Sequence, residues 1–116
     1  MSISVILRKH PYGSVDAAEA VRHALGAAIE DIPVSLILLD GGINAAKKGH
    51  DISSTGYLSL ESGIRDCIDM GVKVYTDRAS LKEQNRDAGD IIDGVTILSS
   101  SEISEIILNS DTSIIF

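Results

Sequence analysis

Apolar positions along the chain switch between two periods. The run Ile3, Ser4, Val5, Ile6, Leu7 stops at a turn cluster, His10, Pro11, Tyr12 and Gly13, which predicts a strand delivering the chain to a loop. Residues 15–29 then carry apolar side chains at 17, 18, 21, 24, 25, 28 and 29, the spacing of one buried helical face, with Ser14 placed to cap the helix. No glycine or asparagine follows it, so Glu30, Asp31 and then Pro33 supply the stop. Residues 34–39 are almost continuously apolar and end at Asp40, Gly41 and Gly42, the pattern of a strand buried on both faces that breaks at a glycine turn.

Residues 43–48 suit a short helix, and the polar, glycine-containing stretch 49–57 reads as an exposed loop. In residues 58–70, Leu60, Ile64, Cys67 and Ile68 fall at i, i+4, i+7 and i+8, predicting a second amphipathic helix that Gly71 terminates. Residues 72–76 alternate as a third strand, and Ser80 with Glu83 has capping-box spacing for a short helix over 80–85. Residues 87–94 read as a loop and 95–98 as a fourth strand. Ser99 with Glu102 offers another capping box, ahead of a stripe of Ile103, Ile106 and Ile107, and residues 112–116 close as a fifth strand.

Strands alternating with helices imply right-handed crossovers and a mainly parallel five-stranded sheet between helical layers, a three-layer α/β/α sandwich that is flavodoxin-like in the broad sense. The strand order stays open. The 116 residues suit one domain over 1–116, and 44% hydrophobic content with only 3% aromatics predicts a core of aliphatic side chains. A net charge of −7 argues against direct nucleic-acid binding, which needs clustered cations; Arg8, Lys9 and His10, or Lys47 and Lys48, are too sparse to reverse it. The apolar runs are strand-sized, with no signal-peptide pattern or membrane span, and the one cysteine forms no internal disulfide, so a cytoplasmic home is expected.

In open parallel sheets ligands bind beyond the carboxyl ends of the strands. That rule selects Lys9, His10, Tyr12, Gly13 and Ser14 after the first strand, and Asp40, Gly41 and Gly42 after the second. Thr76, Asp77 and Arg78 follow the third, and Ser99, Ser100 and Ser101 the fourth. Gly13 and Ser14 before a helix could take an anion, with Arg78 as the best cation for a carboxylate or phosphate, but neither nucleotide-binding glycine motif is present and a plain cap is the commoner role. Asp40, Gly41 and Gly42 equally suit a simple turn. His10, His23 and His50 lack metal-ligand spacing and a lone cysteine builds no zinc site, so neither metal nor cofactor is expected. Cys67 is the sole candidate thiolate nucleophile, yet its spacing puts it on the apolar helix face, where cysteines are normally buried and inert.

Three segments together carry a family resemblance: Leu38, Leu39, Asp40, Gly41, Gly42; the stretch 68–75 from Ile68 through Gly71 and Val72 to Tyr75; and the ending 110–116, Ser110 and Asp111 leading through aliphatics to Phe116. In order and spacing the chain resembles the DsrE/DsrF/TusC family over nearly its whole length. The resemblance implies a compact DsrE-like α/β/α subunit that joins homo-oligomers or hetero-oligomers with related sulfur-relay subunits, some of which pass sulfur as a cysteine persulfide. It places the sulfur-bearing cysteine near the end of the third strand, where this chain has Asp77. The chain therefore resembles the non-carrying, DsrF/TusC-like kind of subunit; a sulfurtransferase using Cys67 and a small-anion or nucleotide-binding module are the alternatives.

Overall fold

In the computed structural model, which describes residues 1–11, 15–48 and 60–116, the apolar runs become strands β1 (Ile3–Leu7), β2 (Val34–Leu38), β3 (Lys73–Asp77), β4 (Thr96–Leu98) and β5 (Thr112–Ile115). Between them lie helices α1 (Asp16–Ile29), α2 (Leu60–Asp69), α3 (Arg78–Glu83) and α4 (Ser100–Leu108), with 3₁₀ segments at Asp40–Ala46 and Ala88–Asp90. All four strand pairings are parallel, and the order across the sheet is β4-β3-β2-β1-β5.

That order explains the layering. Each step from β1 to β2 to β3 to β4 moves one way, and the return from β4 to β5 runs the other way, so right-handed crossovers put α1 and α2 on one face and α4 on the opposite one. The side chains obey. Val5, Leu7, Leu36, Leu38 and Val74 pack with Ala17, Ala20, Val21, Ala24, Ile64 and Cys67 on the first face, while Ile6 and Ile37 meet Ile103 on the second. Alternation along each strand sends neighbouring residues to opposite faces, and both faces are covered, which is why β2 reads as an unbroken apolar run.

Several local readings change. The first helix begins at Asp16 behind Val15, which makes no side-chain cap; the predicted cap Ser14, with Tyr12 and Gly13, lies outside the described residues. Asp31 supplies the left-handed turn after α1, with φ 58°. The expected turn at Asp40, Gly41 and Gly42 and the expected helix over 43–48 are one continuous 3₁₀ segment, buried from Gly41 to Ala46. Ser80 does not cap α3; Asp77 does, accepting the Ser80 N–H. The loop predicted over 87–94 contains the short 3₁₀ segment Ala88–Asp90, whereas the predicted loop 49–57 and the first residues of the second predicted helix lie outside the described residues. The Ser99 and Glu102 capping box forms as read.

Candidate functional site

Parallel strands in close register bring their carboxyl ends to one rim: Leu7 pairs with Leu38, Leu38 with Thr76, and Asp77 with Leu98. The next residue or two of each strand therefore meet there. Asp77, only 8% exposed, accepts hydrogen bonds on its two oxygens, from the Ser80 N–H to Oδ1 and from the Ser100 hydroxyl to Oδ2, both at 3.1 Å. Ser80 in turn accepts the Asp40 N–H at 2.8 Å, and the Asp40 carboxylate holds Arg8 Nε at 2.9 Å. Asp40 itself sits at φ 51°, the sharp bend that turns β2 into the 3₁₀ segment. A single polar string thus runs from α4 through the ends of β3 and β2 to β1.

The 3₁₀ segment can lie against this rim because its glycines admit neighbours. A Cβ on Gly42 would stand 2.1 Å from the Leu7 carbonyl oxygen, and one on Gly41 would stand 2.6 Å from the His10 ring. The buried Asn44 then gathers a second cluster. Its Nδ2 donates to the Gly41 carbonyl and to Gln84 Oε1, both at 3.1 Å, and lies 3.3 Å from His10 Nδ1, while its Oδ1 accepts from Arg86 Nε at 3.0 Å.

Of the residues selected from sequence, His10, Asp40, Gly41, Gly42, Asp77 and Ser100 converge. Arg78 does not join them: it is exposed and interacts electrostatically with Glu102 at the start of α4. Asn44, Gln84 and Arg86 were not selected. A polar residue inside the run Ile43 to Ala46 is the one local hint for Asn44; nothing local points to Gln84 or Arg86, which arrive from 40 and 42 residues further along.

The connection leaving β3 goes to one face of the sheet and the connection leaving β4 to the other, so the crevice in which open α/β sheets bind ligands falls between Asp77 and Ser100. Here their hydrogen bond spans it. Elsewhere on this rim is a shallow depression of about 500 Å³ lined by Arg8, Lys9, Asp16, Asp40, Ile115 and Phe116, in which Arg8 pairs with Asp40 and Lys9 with Asp16. Among the described residues no cluster of three or more His, Cys, Asp or Glu side chains is placed to hold a metal.

Cys67 lies elsewhere. It is fully buried on the inner face of α2, its thiol 3.9 Å from the Val21 carbonyl of α1. Burial, reinforced by the Asp66 carboxylate, pushes the thiol pKa up from 9.0 to about 11. Such a group is a packing element at neutral pH, since the thiolate is the nucleophile.

Residues 1–116 match the sequence model of the DsrE/DsrF-like family. The chain is 30% identical, over its whole length and that of the relative, to the uncharacterized protein MJ0989 of Methanocaldococcus jannaschii. It is 28% identical to the intracellular sulfur oxidation protein DsrF of Allochromatium vinosum, across 90% of this chain and 88% of that one. Among solved structures the ychN protein from E. coli superposes with a TM-score of 0.90 at 19% identity, covering 100% of this chain and 99% of the other. MTH1491 from Methanobacterium thermoautotrophicum, a protein of unknown function, gives a TM-score of 0.71 at 17% identity, with coverage of 99% and 97%. At these identities the structural likeness speaks for the fold.

Proposed function

The chain belongs to the DsrE/DsrF-like family, and on that premise we propose that it is an accessory, non-persulfide-carrying subunit of a sulfur-relay oligomer. One observation carries the reading: the only thiol of the chain is sealed in the core, and the rim position that the resemblance assigns to a sulfur-bearing cysteine is Asp77. A carboxylate cannot form a persulfide. Asp77 instead caps α3 and ties it to α4, so its role at the rim is to fix the shape of a surface.

The polar rim then serves as the face presented to a related subunit that bears the cysteine, in a reducing cytoplasm where such a thiol survives. The exposed His10 ring and the partly exposed Arg86 are the groups it offers to an anionic sulfur group held by that partner.

Intact-mass analysis after incubation with a persulfide donor tests this. The folded chain is expected to gain no sulfur, and affinity capture from its own cells to bring down a related small subunit with a reactive cysteine. A gain of one sulfur that disappears in Cys67→Ser would replace the accessory role with that of a carrier.

A further inference from the structure

On the first face of the sheet α1 packs against β1 and β2, but no described helix covers the strip over β5. What remains there is an apolar groove of about 480 Å³, floored by Ile3, Val5 and Ile114 and walled along α1 by Arg22, Gly26 and Glu30. Gly26 is out of place on local grounds. Its helix interior position favours almost any residue over glycine, a Cβ there would meet nothing within 4 Å, and the left-handed turn where glycine would help is made by Asp31. Nothing among the described residues asks for a glycine at this exposed point, whereas close approach of another backbone does.

The residues around it say what approaches. Arg22 and Glu30 stand one turn before and one turn after Gly26, on the same side of the helix. In an antiparallel pair of identical helices crossing at Gly26, residue 26+k meets residue 26−k, so Arg22 of each copy faces Glu30 of the other. The arrangement is self-complementary about a two-fold axis, as an interface between identical subunits must be. Ile29, 66% exposed, then meets His23 of the second copy, whose ring leans on Phe116 at 5.3 Å. Arg22 already bonds Glu19 of its own helix, while Glu30 has no ion-pair partner among the described residues.

We propose that this chain forms a two-fold homodimer through α1, the two helices running antiparallel and crossing at Gly26, with the groove beside β5 covered by the second copy. The inference deepens the oligomer part of the proposed function by naming a surface for it, but rests on none of the sulfur chemistry: its failure leaves the persulfide test unaffected.

The test uses the full chain. Gly26→Cys places a thiol on the two-fold axis, and mild oxidation is expected to link it into a dimer about tenfold faster than a Lys82→Cys control on exposed α3, with buried Cys67 silent in both. Sedimentation equilibrium should show Arg22→Glu and Glu30→Arg each weakening the dimer by about tenfold, and the double exchange restoring it. Gly26→Leu should raise the melting temperature of the subunit while abolishing association, which separates the interface from folding. The proposal is overturned by a protein that stays monomeric throughout, by cross-linking no faster at 26 than at 82, or by dimer strength that follows net charge alone, weaker in Arg22→Glu and stronger in Glu30→Arg.

Discussion

Cys67 and Asp77 lie close in sequence and in opposite chemical settings. The helix α2 turns Cys67 inward against α1, where no water reaches it and its proton is held to high pH. The end of β3 turns Asp77 toward the rim, where a backbone N–H and a serine hydroxyl hold both of its oxygens. The chain thus keeps its one thiol where it can only pack, and holds a carboxylate in a polar string at the rim. Each side of that contrast can be broken separately.

The largest expected effect is on the scaffold of the rim. Gly42→Ala would drive a methyl group into the Leu7 backbone carbonyl, which cannot move without dislodging β1, and should cost about 3 kcal/mol. Gly41→Ala meets only the His10 ring, which can swing away, so about 1 kcal/mol or less is expected. Urea unfolding of the two variants decides it: equal costs would mean that close backbone approach is not what positions the 3₁₀ segment. Asn44→Ala comes next, at about 2 kcal/mol, because it leaves the Gly41 carbonyl and Arg86 Nε without their buried partner. Little loss in that variant would show that the second cluster is surface decoration.

Cys67 sharpens the other side of the comparison through pH. Its folded pKa of about 11 exceeds the ordinary 9.0, so the unfolded chain releases the thiol proton first. Above pH 9 the unfolded state then binds fewer protons than the folded one, and stability falls with rising pH until the folded thiol also ionises near 11. The stabilising contribution is complete below pH 9. At pH 10 about 1 kcal/mol should be lost relative to pH 8, and Cys67→Ala should remove that part of the slope. A thiol reagent that labels the native protein at neutral pH as fast as the unfolded one would contradict the burial outright.

Much of this was legible in the amino-acid pattern, and the failures have physical causes. The five apolar runs became strands because period-two and continuous apolar segments have few other uses, and the i, i+4, i+7 spacing put Cys67 on the inner face of α2, where it lies. Strand order was invisible, since the alternation of one strand says nothing about its neighbours. The segment Asp40–Ala46 read as a turn and a separate helix because a 3₁₀ helix buried almost throughout shows no amphipathic stripe, and its two leading glycines suggest a break. At α3 the cap moved from Ser80 to Asp77: both have an acceptor at the right spacing, and the carboxylate at the strand end binds the free N–H while Ser80 is taken by Asp40. The rim candidates came from strand ends alone, so residues that reach the rim from distant loops, Gln84 and Arg86, left no local trace.

The smallest effect tests whether the rim depends on α4. Ser99 and Glu102 cap that helix reciprocally: Ser99 Oγ accepts the Glu102 N–H at 3.2 Å, and the Ser99 N–H donates to Glu102 Oε1 at 3.1 Å. The backbone bond from Ser99 first, the Ser99 side chain next and Arg78 last hold the Glu102 carboxyl below its usual 4.5, against a small desolvation that raises it. A depressed pKa means that the unfolded chain takes up the proton first on acidification, so the stabilisation is present above 4.5 and fades as pH falls through the folded value. Glu102→Gln keeps an oxygen for the Ser99 N–H and should leave the neutral melting temperature almost unchanged while flattening its decline below pH 4.5. Because Ser100, the next residue after the cap, is what holds Asp77 from the α4 side, the same acid range should also loosen the Ser80 amide that Asp77 accepts. Hydrogen exchange at Ser80 that ignores both the pH drop and the substitution would mean that Asp77 is fixed by α3 alone, and that the rim is built from β1, β2 and β3 without help from the opposite face of the sheet.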